Sequence, residues 1–165
     1  MISHAFCLGA PDPALVDPLI AALAEAGIAI CTTAPASRPV PAVKRLMAAG
    51  VTICAGSDGI RDTWGPYGNA DMLERAMFVG LRNNLRRDDE VEMALATCTT
   101  EGATALGLPD YGLAPGCACA ANFILVTAET VAEAVAQRPG HRVVVRNGRV
   151  VAENGQICEP DLASR

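Results

Sequence analysis

The chain has 165 residues, of which 51% are hydrophobic and 19% charged, as is typical of one globular domain with an apolar core. A formal net charge of -5 with scattered lysines and arginines argues against nucleic-acid binding. The apolar runs are too short for a membrane span, and the N-terminus lacks the basic region of a secretory signal. We therefore expect a cytoplasmic protein that binds neither nucleic acid nor membranes.

The seven cysteines are expected to be reduced. Cys31 and Cys54 lie in apolar runs typical of strands, where a thiol behaves as a small hydrophobe. Cys117 and Cys119 form a CxC pair, but without a second cluster of Cys or His the pair is weak evidence for a metal site. A packing or incidental role is favoured for them.

The first part of the chain alternates helices and strands. In "PDPALVDPLIAALAEAGIAICTT", Asp17 is the expected N-cap, Pro18 the first helical residue and Gly27 the end of the helix, and a short apolar strand follows. The same pattern recurs in "PAVKRLMAAG" and "VTICAG", a helix and a second buried strand. This alternation is typical of an α/β fold with a parallel sheet.

Three further helices are predicted before residue 107. The segment "ADMLERAMFVGLRNN" places Leu73, Ala76, Met77, Gly80 and Leu81 on one helical face. The segment "DDEVEMALATCT" begins with acids that favour the positive N-terminal end of a helix, and "TEGATALG" is a short third helix.

Strands dominate after residue 107. "NFILVT" and "HRVVVRNGRVVAENG" are strand-like, with Asn147-Gly148 as a two-residue hairpin turn, and "AETVAEAVAQ" between them is a predicted helix. The pattern indicates an α/β unit at 1–107 and a small β-rich segment at 108–165.

Two side chains occupy positions where parallel α/β proteins place functional groups, the carboxyl ends of strands. His4 follows "MIS", which reads as the exit of a strand, and Asp58 follows "VTICAG". A histidine and a carboxylate at one mouth could bind a divalent metal and handle the proton of its bound water. Each also has a structural explanation, because "SDG" is good turn chemistry and a histidine near a terminus is often an ordinary surface or core residue.

The neighbouring residues have alternatives as well. Trp64 is either a core anchor or the wall of a pocket. Arg61 and Asp62 are expected to form a solvated loop pair, and His141, in a linker, is expected to have no catalytic role.

Taken in order, "ISHAFCLG", "VKRLMAAGVTICAGSDGIRDTWGPYGNADML" and "LGLPDYGLAPG...ANFILV...VVVRNGRVV" resemble the C-terminal portion of the amidohydrolase superfamily. The closest resemblance is to cytosine deaminase and related aminohydrolases of pyrimidine or triazine rings. It implies that 1–107 is the C-terminal part of a (β/α)8 barrel, about strands six to eight, and that 108–165 contributes strands to a small β-sandwich domain.

The resemblance implies roles for four residues. Asp58 matches the acid at the end of strand eight, which helps hold one divalent metal (Zn, Fe or Mn) and accepts a proton from its bound water. His4 matches the histidine at the end of strand six, which hydrogen-bonds the attacking water or the tetrahedral centre. Trp64 would line the ring pocket.

The fourth residue, Gly59, is assigned to substrate binding and stands where cytosine deaminases commonly carry a second acid. The resemblance implies hydrolytic deamination of a cyclic amidine, and Gly59 weakens the case for cytosine itself. Cytosine-like pyrimidines, isocytosine and ammelide-like triazines remain comparable substrates.

The family's other ligands find no match, because the chain has two histidines and no HxH pair. A complete barrel needs about 200–250 residues. We therefore expect a C-terminal fragment that is inactive alone and that forms homo-oligomers through an uncovered sheet edge. The alternative is a non-catalytic half-barrel that serves as a binding or assembly module. A flavodoxin-like protein is disfavoured because no glycine-rich phosphate loop follows a strand.

Overall fold

The computed structural model of the protein describes residues 1–108, 111–112 and 120–158. The chain divides into two compact units, Met1–Gly107 and Leu108–Arg165, and each is described by itself. The CxC pair at Cys117 and Cys119 lies outside the described residues. The assignments of these units to a barrel and a β-sandwich stay predictions.

The first unit contains a three-stranded parallel sheet, and this confirms the predicted α/β class. Its strands lie in chain order, β1 (Ile2–Ser3), β2 (Ile30–Thr32) and β3 (Ile53–Ala55). Ile30 pairs with Ile2 on one side and with Ile53 on the other. Because parallel neighbours need a crossover, one α-helix lies in each connection, α1 (Pro13–Glu25) and α2 (Val43–Ala48), and a short 3-10 helix, Phe6–Gly9, precedes α1.

The predicted start of α1 is wrong. The helix begins at Pro13, and Oδ1 of Asp12 caps it by accepting the Ala14 N–H at 2.9 Å. Two Asp-Pro pairs five residues apart give the same local signal. The pair Asp12-Pro13 starts the helix, because a start there brings Val16 into the helix, and Val16 is fully buried in the core.

The core of this unit lies between the sheet and its helices. Ile30 and Ile53 of the sheet are completely buried, as are Val43 and Leu46 of α2. The amino end of α2 is buried too, and its Val43 N–H is satisfied by Oδ1 of Asn83 at 2.9 Å.

Three helices complete the unit as predicted, α3 (Met72–Arg82), α4 (Asp88–Thr97) and α5 (Thr100–Ala105). The buried face of α3 differs from the prediction, because Val79 is buried with Ala76 and Gly80 whereas Leu81 is 64% exposed. A Cβ at position 80 would lie 3.8 Å from the Cβ of Ala94, an ordinary contact distance, so α3 and α4 meet here through small residues.

The second unit is built on an antiparallel sheet of four strands, in spatial order β6 (Phe123–Val126), β7 (Arg142–Arg146), β8 (Arg149–Glu153) and β9 (Gln156–Ile157). A short parallel pair precedes it, β4 (Tyr111–Gly112) and β5 (Ala120–Ala121), and the predicted helix is α6 (Val131–Gln137).

The turn at Asn147-Gly148 is confirmed, with both residues at positive φ, 50° and 73°. A second turn of the same kind, Asn154-Gly155, leads into β9 and was not predicted. None of the helices in the described ranges is long and apolar enough to cross a membrane.

Candidate active site

The sheet brings His4 and Asp58 together. His4 directly follows β1, and Asp58 lies three residues beyond the end of β3, on the far side of the central strand β2. Nε2 of His4 lies 3.6 Å from Oδ2 of Asp58. This separation exceeds a normal hydrogen bond, so the two groups face each other with both still open to a further partner.

His4 is held by its backbone and its neighbours. Its N–H donates to the carbonyl of Cys31 on β2 at 2.7 Å, and its ring centroid lies 5.2 Å from that of Phe6. Nδ1 is buried, and no described atom is within hydrogen-bonding distance of it. A buried polar atom without a partner is rare, and the predicted catalytic role of His4 stays a prediction.

Asp58 is exposed and has a left-handed backbone, with φ 61°. Among the described residues no backbone N–H donates to its carboxylate, so the alternative that Asp58 caps a turn receives no support. Its catalytic and metal-binding roles stay predictions.

Arg75 joins the carboxyl ends of β2 and β3, a role that the sequence analysis missed. Its guanidinium donates to the carbonyl of Thr33 and, at 3.4 Å, to that of Ser57, the residue before Asp58. The guanidinium carbon also lies 5.4 Å from the centroid of the Phe78 ring. The sequence does contain one signal for this role, because Arg75 is one of the few charged residues beside the buried face of α3.

The loop after β3 is organised by Asp62. Its Oδ1 accepts from the backbone N–H groups of Trp64 at 2.9 Å and Gly65 at 3.1 Å. A Cβ on Gly59 would overlap this carboxylate. Arg61 and Asp62 are both exposed, as expected of a solvated loop pair, and Asp62 in addition holds the loop.

Trp64 is not a core anchor, because 97% of its surface is exposed. Its side chain projects from the loop that Asp62 holds. The predicted role of Trp64 as a pocket wall stays a prediction, as does the substrate-binding role of Gly59. His141 is exposed and lies between α6 and β7, in the second unit.

Three cysteines lie near this end of the sheet. Cys31 and Cys54 are register partners on β2 and β3, and Sγ of Cys54 lies 3.8 Å from Sδ of Met1. A hydrogen bond from the Cys54 thiol lowers the pKa of Cys31 to about 7 and raises the pKa of Cys54. Burial raises the pKa of Cys98 to about 11.

The described residues do not by themselves fit a catalytic metal. Such a site takes three protein ligands and keeps a position open for water or substrate. His4 and Asp58 offer two donor groups, and within the described ranges no three His, Cys, Asp or Glu residues form a cluster that could hold a metal ion.

Comparison with protein families decides the ancestry of this arrangement, because the profile of the amidohydrolase family matches residues 2–152. The chain belongs to the amidohydrolase family. This confirms the resemblance inferred from the motifs around His4 and Asp58.

Among solved structures, this amidohydrolase chain is similar to N-isopropylammelide isopropylaminohydrolase from Burkholderia multivorans, with 52% identity, a TM-score of 0.88 and coverage of 94% of the chain. It is also similar to 5-methylcytosine deaminase from Klebsiella pneumoniae, with 28% identity, a TM-score of 0.76 and coverage of 91%. A curated relative, N-isopropylammelide isopropyl amidohydrolase from Pseudomonas sp. (strain ADP), is 28% identical over 94% of the chain.

The chain spans a minor part of each of these proteins. It covers 39% of both solved structures and 38% of the Pseudomonas protein.

Proposed function

We propose that this chain is part of a metal-dependent aminohydrolase that cleaves an exocyclic C–N bond of a triazine or pyrimidine ring. In this proposal 1–107 contributes about strands six to eight of the barrel, and 108–165 contributes strands to the small β-sandwich domain. The observation that carries the proposal is the 3.6 Å approach of His4 and Asp58 at the carboxyl end of a parallel sheet.

Of the two ring classes, we favour the triazine. The identity to the aminohydrolase of N-isopropylammelide is 52%, against 28% to the deaminase of 5-methylcytosine, over similar shares of the chain. Gly59, where cytosine deaminases commonly have a second acid, supports the same choice.

In the proposed reaction Asp58, His4 and Trp64 have separate roles. A water molecule attacks the ring carbon that bears the amino or alkylamino group, and the Asp58 carboxylate accepts the proton that the water loses. Nε2 of His4 hydrogen-bonds the tetrahedral centre, and the amine leaves after it is protonated. The exposed loop with Trp64 would cover the ring and keep bulk water away.

A divalent metal, zinc, iron or manganese, is part of this proposal, and of the described residues Asp58 alone is assigned to it. The remaining ligands would have to come from elsewhere in the protein. The polypeptide that carries this chain should therefore be analysed for metal content together with its activity.

The test is amine release from N-isopropylammelide and ammonia release from cytosine, measured on the complete protein that carries this chain. Asp58→Asn should lower kcat by about 100-fold to 10,000-fold, because it removes the proton acceptor. Asp17→Asn is the matched control, since Asp17 pairs with Arg45 on the helices and lies outside the site. Normal turnover by Asp58→Asn, or no turnover of either ring by the unaltered protein, would overturn the proposal.

A second candidate is a non-catalytic half-barrel that binds a ligand or assembles with a partner. It is favoured by one observation, the lack of a three-ligand cluster within the described ranges. Ring binding measured by calorimetry, without stoichiometric metal and without turnover, would support this alternative.

A further inference from the structure

Cys31 and Cys54 lie side by side in the sheet as free thiols. Register partners on parallel strands point to the same face, and neighbouring strands are about 4.7–4.9 Å apart. Disulfides join Cα atoms about 4.4–6.8 Å apart. We propose that Cys31 and Cys54 form an oxidisable dithiol, which a hydroperoxide converts reversibly into a disulfide between β2 and β3.

The two thiols have different environments, and the difference assigns their roles. Cys54 is buried, whereas Cys31 is only partly buried, and the neighbouring Cys54 thiol lowers the pKa of Cys31. Cys31 is therefore the more accessible thiol and the more readily ionised one, so it is the group that an oxidant meets first.

The charged and titratable groups around Cys31 come from two further segments. Asp58, in the loop after β3, opposes the thiolate, and so does Cys98 at the end of α4 if it ionises. Arg75 of α3 lies near Cys98 and favours the ionised form of that residue. For the pKa of Cys31 the effect of the neighbouring Cys54 thiol outweighs both burial and the charge of Asp58.

The chemistry proceeds in two steps. The Cys31 thiolate attacks an oxygen of the hydroperoxide, an S–O bond forms, the O–O bond breaks and an alcohol or water leaves with one proton. The Cys54 sulfur then attacks the sulfenic acid, an S–S bond forms, and the S–O bond breaks as water leaves. Two thiols are oxidised by two electrons and the peroxide is reduced by two.

The disulfide would form next to the carboxyl end of the sheet. Thr33 follows Cys31 by two residues and Ser57 follows Cys54 by three, and Arg75 binds the carbonyls of both. Oxidation would therefore alter the strand ends that lead to Asp58. The thiol chemistry itself does not depend on the proposed deamination.

The test is peptide mapping after treatment of the purified chain with hydrogen peroxide. Remaining thiols are blocked with N-ethylmaleimide, and cleavage after Glu25, Lys44 and Arg45 places Cys7, Cys31 and Cys54 on separate peptides. We expect the Cys31 and Cys54 peptides to be linked as the main product, and dithiothreitol to release them.

Two variants and a denatured control make the result specific. In Cys54→Ala, Cys31 should stop at the sulfenic acid and be trapped by dimedone, and in Cys31→Ser the linked product should be lost. Cys7, an exposed thiol, is the internal control. In guanidinium chloride, where the chain is unfolded, disulfides should form among the cysteines without preference for the pair Cys31 and Cys54. Absence of the Cys31–Cys54 link, or equal linkage of either residue to Cys7 in the folded chain, would overturn the inference.

Discussion

At the scale of single residues, the candidate site is built on backbone conformations that L-amino acids rarely adopt. His4, Ala5, Asp58 and Arg61 all have positive φ, between 44° and 66°. Each such residue costs about 1–3 kcal/mol and persists only where its surroundings impose it. Four of the ten such residues in the described chain closely follow β1 or β3.

The loop after β3 offers a test at this scale. In Gly59→Ala the new Cβ would displace the Asp62 carboxylate and weaken its bonds to Trp64 and Gly65. We expect the folded loop to lose about 1 kcal/mol, so that trypsin cleaves at the exposed Arg61 about fivefold faster. The rate is read by mass spectrometry of the intact chain.

The control lies in the same loop. A Cβ on Gly65 would meet nothing within 4 Å, and Gly65 is not at positive φ. Gly65→Ala should therefore leave the cleavage rate at Arg61 unchanged. Equal acceleration by both variants would mean that the Asp62 contacts do not hold the loop.

At the scale of elements, single polar side chains fix how the helices of the first unit meet. Glu90 is nearly buried in the first turn of α4, and its Oε1 lies 2.6 Å from Nζ of Lys44 on α2. Its Oε2 accepts the N–H groups of Arg86 at 2.7 Å and Arg87 at 3.2 Å. One carboxylate thus caps its own helix and binds a second one.

This arrangement predicts a pH dependence of stability. The N–H of Arg86, then the ammonium of Lys44 and the N–H of Arg87, lower the pKa of Glu90 from 4.5 to about 2 in the folded chain. Because the folded pKa is the lower one, the stabilisation is complete above the ordinary value and is lost as pH falls toward 2.

Glu90→Gln should therefore be less stable than the unaltered chain at pH 7, and the difference should shrink as the pH falls from about 5 to about 2. Urea unfolding at a series of pH values measures this difference in the free energy of unfolding. Glu92→Gln, on the exposed side of the same helix, is the control. A difference for Glu90→Gln that does not change with pH would show that the charge is unimportant.

At the scale of the whole molecule, the parallel sheet has two strands with a neighbour on one side only. Among the described residues β1 and β3 each pair with β2 alone. Parallel sheets are normally covered and their edges protected, since an open edge is a template for another chain. The predicted homo-oligomer follows from this feature and is our expectation for the isolated chain.

Light scattering after size-exclusion chromatography should give a mass above the 17.1 kDa of one chain, rising with concentration. Ile2→Lys places a charge on the edge strand and should lower the mass toward the monomer. Leu19→Lys is a matched control, because Leu19 on α1 is 45% exposed and Ile2 is 44% exposed. A monomer at every concentration would contradict the expectation.

The sequence by itself determined most of the helices, the main hairpin and the family. Helix and strand periodicity, caps and Asn-Gly turns are local signals, so the helices α2 to α6 and the hairpin at Asn147-Gly148 could be predicted from neighbouring residues alone. The strand ends likewise singled out His4 and Asp58, because the parallel α/β fold places functional groups there.

Only the tertiary structure decided which local signals are used and which side chains meet. The core selected Asp12 over Asp17 as the cap of α1, because Val16 had to be buried. The pairing of Cys31 with Cys54 and the reach of Arg75 to Thr33 depend on strand order and register, which join residues 23 and 42 positions apart. Contacts of this range leave no local pattern in the sequence, since they arise from the packing of whole elements.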